Sequence, residues 1–172
     1  MKTLFIPMLL IAILVGCGRP TPPNIGLADA ARSGNLEAIR QHIKAASNLN
    51  ELEPVGGSSA LSTAAAFGQT EAVGALIQAG ADVNVRNKDG ATPLITAAFL
   101  CRTDIVRTLL DHGADKNAKN NAGVTALDSV TASFDEAKGV YDLLQAVLGP
   151  LGLKLDYEQI RATRPEVAKM LQ

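Results

Sequence analysis

The sequence predicts an all-α solenoid: about four stacked helix–turn–helix units, closed at the C-terminus by a degenerate helical cap. Three observations carry the prediction. The chain matches itself when shifted by 33 residues, so that Leu61, Leu94 and Leu127 fall in line, as do Gly57, Gly90 and Gly123; a fixed period of this size is the signature of units that stack in a row. Each period holds two short segments with apolar residues at helical spacing, separated by turn residues. Finally, 27 alanines and 15 glycines stand against only six aromatic rings. Such a core closes by bringing backbones near one another, because few bulky side chains exist to fill wide gaps.

Composition also excludes some functions. Sixteen basic residues against seventeen acidic ones leave a net charge of −1, with no electrostatic footprint for DNA or RNA. An apolar content of 47% at so low a net charge is not that of a disordered chain.

Taken in order, residues 1–16 read as a cleaved signal peptide. Lys2 precedes an apolar run from Leu4 to Val15, shorter than the roughly 20 residues a bilayer span needs and further weakened as a span by Pro7. Leu14, Val15, Gly16 and Cys17 then resemble the bacterial lipobox. That resemblance implies a diacylglyceryl thioether on Cys17, an acyl chain on its amine, and a lasting membrane anchor. Gly18, where Asp would retain such a lipoprotein at the inner membrane, implies an outer-membrane lipoprotein facing the periplasm. Residues 17–24 form the tether: Pro20, Pro22 and Pro23 forbid a helix and extend the chain by roughly 3 Å per residue. With Cys17 lipidated, Cys101 is the sole remaining thiol, and no intramolecular disulfide forms.

The repeat region runs from 25 to 149, in units of about 25–56, 57–89, 90–122 and 123–149. In the first, Leu27, Ala30, Ala31, Gly34, Glu37, Ile39 and Ile43 fall under Leu61, Ala64, Ala65, Gly68, Glu71, Val73 and Ile77 with an offset of 34. The second and third units share Ala64/Ala97, Val73/Val106, Leu76/Leu109 and the run Gly80, Ala81, Asp82, Asn84 against Gly113, Ala114, Asp115, Asn117. Thr92 caps a helix opened by Pro93, where the missing N–H costs nothing. A second helix carries Ile105, Val106, Leu109 and Leu110 and stops at Gly113. In the fourth unit Thr125 and Leu127 open a helix, and Val140, Leu143 and Leu144 match the core positions Val106, Leu109 and Leu110 after one inserted residue. Residues 150–172 break the period. Asp156 caps a short helix through Ile160 and Arg161, and Pro165 opens another carrying Val167, Ala168 and Leu171. Glu158, Arg161, Arg164, Glu166 and Lys169 give this C-terminal cap its polar outer face.

Asp89, Gly90, Ala91, Thr92, Pro93 and Leu94, followed by Gly113, Ala114 and Asp115, resemble the ankyrin repeat signature. The resemblance implies antiparallel helix pairs, loops projecting to one side, and a concave groove that binds another protein. It departs from the family in three places, one of them the fourth unit, which is longest in its helix turn and has Val130 and Thr131 for the paired alanines. Ser62, Ile95 and Asp128 stand where the family has a histidine, so that residue's hydrogen-bond network is lost. Cys101 replaces the turn glycine seen at Gly34 and Gly68, and a non-glycine residue in left-handed geometry costs about 1 kcal/mol. Carried over position by position, the partner-binding candidates are the loop tips Val55, Ser58, Lys88, Asp89, Ala91, Asn121, Ala122 and Val124. The first helices add Ala66, Phe67, Phe99, Leu100, Ala132 and Ser133, and His112 joins from the end of a second helix. Phe67, Phe99 and Leu100 are the anchors expected to matter most, if they do not instead pack between units.

Chemistry has little to work with. His112 sits where imidazole meets the last carbonyls of a helix, and His42, next to core-facing Ile43, is expected in solvent. Cys101 and His112, on different elements of one unit, lack a third orienting group. One thiol and two distant histidines do not make a zinc site, and the glycines at Gly56 and Gly57 have no following lysine at phosphate-loop spacing. The sequence thus predicts no enzyme, no cofactor and no metal. The expected role is a monomeric adaptor or scaffold in the bacterial envelope. An inhibitor or immunity protein acting on a toxin or envelope enzyme is the alternative, and a Cys101 enzyme a distant third.

Overall fold

The computed structural model describes residues 21–54 and 56–172. The signal peptide, Cys17 and loop-tip Val55 lie outside the described residues. The nine α-helices among them are α1 (Leu27–Ser33), α2 (Leu36–Lys44), α3 (Ala60–Phe67), α4 (Thr70–Gln78), α5 (Pro93–Phe99), α6 (Thr103–Asp111), α7 (Ala126–Thr131), α8 (Phe134–Leu148) and α9 (Tyr157–Leu171). The described residues contain no β-strand, only an isolated bridge between Leu52 and Ser59.

Side-chain oxygens start the inner helices, at Thr92 and Thr125 where the sequence places them and at Ser59 as well. Ser59, Thr92 and Thr125 accept the backbone N–H of Ser62, Ile95 and Asp128. Asp128, at the missing histidine's position, closes a capping box by accepting from the Thr125 N–H at 2.9 Å and hydroxyl at 2.7 Å. Those bonds hold its carboxyl below the usual carboxylate range.

Helices α1, α3, α5 and α7 form one row, α2, α4 and α6 the other, each pair packing on the next. Between them lies a continuous core of Ala30, Ile39, Leu61, Ala64, Val73, Leu76, Leu94, Ala97, Val106 and Leu109. The alanines let the inner helices approach closely, as the composition requires.

The units are also stitched by repeated polar bonds. Asn50 Oδ1 accepts the Asp82 N–H at 2.8 Å, and one unit later Asn84 Oδ1 accepts the Asp115 N–H at 2.8 Å. At the helix turns, Gln69 Nε2 donates to the Arg32 carbonyl at 3.0 Å and Arg102 Nη2 to that of Ala66 at 3.2 Å.

The fourth unit corrects the sequence reading. The outer helix beside α6 and α7 is α9, not α8. Val140 and Leu143, assigned to the core, are exposed; α8 is an insertion that buries a different stripe, Ala137 and Tyr141 with Phe134 and Leu144. The true outer helix buries Ile160, Arg164, Val167 and Leu171, spaced by four, three and four residues. The expected pair of short tail helices is one continuous helix. Asp156 caps it as predicted, by accepting from the Gln159 N–H, but Pro165 lies inside it. Exposed Pro165 removes one N–H, and the buried stripe on the opposite side carries the helix through. Arg164, assigned to the polar outer face, is 5% exposed and belongs to the core.

Candidate functional site

The loop tips are a braced row. Each tip turns through a positive-φ glycine, Gly57, Gly90 and Gly123. At the first two, a side chain of the next unit also packs closely over the glycine. A Cβ at Gly57 would lie 2.3 Å from the Lys88 stem, and one at Gly90 would lie 2.4 Å from Asn121 Oδ1. Lys88 Nζ donates to the Pro54 carbonyl at 2.8 Å, and Asn121 Nδ2 to that of Lys88 at 3.0 Å. The Asn121 N–H bonds the Asp89 carbonyl at 2.9 Å. Each tip therefore clips onto the preceding one, leaving Lys88, Asp89, Asn121 and Ala122 exposed on a pre-ordered edge, while Ser58, Ala91 and Val124 are half-buried.

The turn face is different. Ala66 and Phe67 remain half-exposed, with the Arg32 guanidinium 5.8 Å from the Phe67 ring centroid. One unit on, the surface is covered. Phe99 stacks on Tyr141 of α8 at a centroid distance of 4.6 Å, and the Tyr141 hydroxyl donates to the Phe99 carbonyl at 2.7 Å. Leu100, expected as an exposed anchor, is 4% exposed and part of the core. Ala132 and Ser133 are exposed but already engaged: the Ala132 carbonyl accepts from Arg164, and Ser133 caps α8 through the Glu136 N–H. Of the three expected anchors, Phe67 alone stays at an open surface.

The residue that closes the fourth unit was missed in the sequence. Buried Arg164 donates to the Tyr141 hydroxyl at 2.8 Å, to the Ser129 carbonyl at 3.2 Å and to the Ala132 carbonyl. One side chain of α9 thus caps the C-terminal end of α7 and holds α8 in place. Burial pushes the Tyr141 hydroxyl up to about 12, so it stays a neutral donor at physiological pH. The available signal was an arginine at i+4 from Ile160 and three before Val167, inside an otherwise apolar stripe.

The candidate catalytic residues do not converge. Exposed His112 directs Nδ1 to the Thr108 carbonyl at 2.8 Å, as its place at a helix end predicts. His42 is 7% exposed rather than solvated. Its Nε2 lies 2.8 Å from the Ile25 carbonyl, which only accepts, so that nitrogen carries the proton and Nδ1 takes the Ser47 hydroxyl at 3.0 Å. It ties the start of the array to the end of α2. Cys101 has φ 52°, the strained turn its sequence position predicts. It flanks the N-terminus of α6, whose nine residues put His112 about 14 Å away at the other end. Burial, only partly offset by a Thr163 hydrogen bond and the charges of Arg164 and Arg102, raises its thiol above the usual range. A neutral buried thiol is a poor nucleophile. In the folded chain Cys101 is expected to react with iodoacetamide at least about a hundredfold more slowly than an exposed cysteine, and normally after denaturation. Labelling followed by mass spectrometry checks this, and rapid reaction in the native state would revive the enzymatic reading. Among the described residues no three His, Cys, Asp or Glu side chains are grouped to hold a metal ion.

Geometry therefore defines a class: a solenoid of stacked helix pairs with a pre-ordered loop edge. Comparison with family models matches residues 27–120 to ankyrin repeats, in three copies. The match spans more than half of the chain, which belongs to the ankyrin repeat family. A search of curated proteins gives no match. As an ankyrin array, the domain is a protein–protein interaction module.

Proposed function

We propose that this protein is a lipid-anchored adaptor of the bacterial envelope, sitting at the outer membrane on the periplasmic side and holding another protein along its loop edge. The carrying observation is the braced row formed by Lys88, Asp89, Asn121 and Ala122. Because each tip is bonded to its neighbour, little loop entropy remains to be lost on binding. Half-exposed Phe67 extends the surface on the turn side, while α8 closes the groove at Phe99. The same row serves an inhibitor as well as an adaptor. Export and the tether favour a standing envelope role.

Two experiments test the reading. Asp89→Arg and Ala122→Arg change exposed tips and are expected to leave thermal stability within about 0.5 kcal/mol of the parent. Each should weaken capture of the envelope partner by at least about tenfold, which is roughly 1.4 kcal/mol. Unchanged capture by both variants would refute the loop edge as the binding surface. Anchoring is tested separately: Cys17→Ser is expected to abolish palmitate incorporation and release the chain from the membrane fraction. Persistent outer-membrane fractionation of Cys17→Ser, or inner-membrane location of the parent, would contradict the localisation.

A further inference from the structure

The loop row is built from a repeating joint, and its last tip carries only the accepting half. In the joint between the second and third tips, one residue makes every contact. Asn121 donates its N–H to the Asp89 carbonyl at 2.9 Å and its side-chain amide to the Lys88 carbonyl at 3.0 Å, while its side chain covers Gly90. One joint earlier, Lys88 donates to the Pro54 carbonyl at 2.8 Å and lays its stem over Gly57. Gly57 and Gly90 are buried beneath these side chains. In the third tip the positions of Lys88, Asp89 and Gly90 are held by Asn121, Ala122 and Gly123, and all three are exposed. Among the described residues neither the Asn121 nor the Ala122 carbonyl accepts a hydrogen bond, and nothing lies within 4 Å of where a Cβ on Gly123 would sit.

An exposed carbonyl is ordinary by itself; what sets this pair apart is how the two ends of the row differ. At the first tip the donor position is Pro54, which has neither an N–H nor a side-chain donor to offer a neighbour. At the other end the helical rows are sealed, because α9 packs beside α6 and α7. That cap reaches the loops at Lys116, whose Nζ donates to the Gln172 carbonyl at 2.7 Å. No hydrogen bond among the described residues joins it to residues 119–124. The third tip is nevertheless held in the shape of the second. Asn120 Oδ1 accepts the N–H groups of Ala122 and Val124 at 3.0 and 2.9 Å, and the Asn120 N–H bonds the Val124 carbonyl at 3.0 Å. Two acceptors fixed in this way lose little entropy when a donor arrives.

We propose that Asn121, Ala122 and Gly123 form a docking site that the protein partner completes with a loop asparagine. Its main-chain N–H donates to the Ala122 carbonyl, its side-chain amide donates to the Asn121 carbonyl, and its side chain covers Gly123. The joint made by Asn121 on the second tip is the pattern for each contact, so the partner continues the row by one tip. A second copy of this chain cannot do this through its first tip, where Pro54 holds the matching position. The proposal rests on the loop edge being the binding surface, and it names the end of that edge that engages and the chemistry the partner presents there.

The third tip itself supplies the probe, as a cyclic peptide of residues 118–125 that keeps the bond from Asn120 to Val124 within its ring. It is titrated into the isotope-labelled full chain in detergent and followed by carbonyl carbon NMR. The Asn121 and Ala122 carbonyl resonances are expected to move saturably, with a millimolar Kd, as two net hydrogen bonds allow. Those of Lys88 and Asp89, already bonded, stay in place. An Asn121→Pro peptide lacks both donors, as Pro54 does, and is expected to bind at least about tenfold more weakly. No movement at Asn121 and Ala122 at millimolar peptide, or equal movement with the Asn121→Pro peptide, overturns the proposal. So does equal movement at Lys88 and Asp89, which indicates unspecific amide contact. Capture of the envelope partner by Asp89→Arg, away from this joint, separates the two readings. Weakened capture with no carbonyl movement leaves the loop edge standing and removes the joint; capture unchanged by both Asp89→Arg and Ala122→Arg removes the edge and the joint with it.

Discussion

Arg164→Ala is expected to cost about 3 to 5 kcal/mol, because it leaves buried acceptors unpaired and opens a cavity at the same time. The guanidinium is buried and meets no carboxylate within ion-pair distance among the described residues; its partners are the Tyr141 hydroxyl and the carbonyls of Ser129 and Ala132. Those carbonyls end α7, where the helix dipole is negative and backbone acceptors lack intrahelical donors. Truncation leaves acceptors of three residues without Arg164 and opens a cavity among α7, α8 and α9. In a domain of about 150 residues each kcal/mol moves Tm by roughly 2 to 4 °C, so a fall of about 10 °C should appear in a circular-dichroism melt. Arg164→Lys keeps the charge but has no planar fork to reach all of these acceptors, and is expected to recover less than half of the loss. Tyr141→Phe removes the shared hydroxyl, and the double variant should show a coupling of about 1 kcal/mol or more. A melt within about 2 °C of the parent for Arg164→Ala would mean that the network does not hold the fourth unit.

That network also marks the boundary of what the sequence made legible. Three units were readable because each is specified several times over: by Leu61 and Leu94, by the paired alanines, by the cap Thr92, and by the glycines at the tips. Agreement among independent local signals is what a well-specified repeat provides. The fourth unit was misassigned because α8 carries apolar residues at helical spacing and comes first in the chain, so it imitates the outer helix that α9 supplies. Periodicity reports that a helix has an apolar side without saying which neighbour covers it. The same ambiguity hid Arg164, whose residue type predicts a polar surface while its place in the Ile160, Val167, Leu171 stripe predicts a core. For the site, the loop tips followed from the family resemblance. The loss of Leu100 and the covering of Phe99 depend on long-range packing by α8, which no local pattern encodes.

Leu94→Ala, in the third unit, is expected to cost about 3 to 4 kcal/mol, and its counterparts make the result diagnostic. Leu61, Leu94 and Leu127 hold the same place in successive units, yet the first two are fully buried and Leu127 only partly, because among the described residues no further inner helix follows α7. If burial sets the energy, Leu61→Ala should match Leu94→Ala, and Leu127→Ala should cost about 1 kcal/mol. Position adds a second effect. In a linear array stability is a sum of unit terms and nearest-neighbour interfaces, so a weak unit between α3 and α7 uncouples the ends. Urea denaturation of Leu94→Ala is then expected to broaden, with a lower apparent m-value, whereas Leu127→Ala shifts the midpoint at nearly constant m. Equal losses at all three leucines would mean that the motif, rather than its neighbours, fixes the energy, contrary to a stacked fold whose units cannot bury their apolar faces alone.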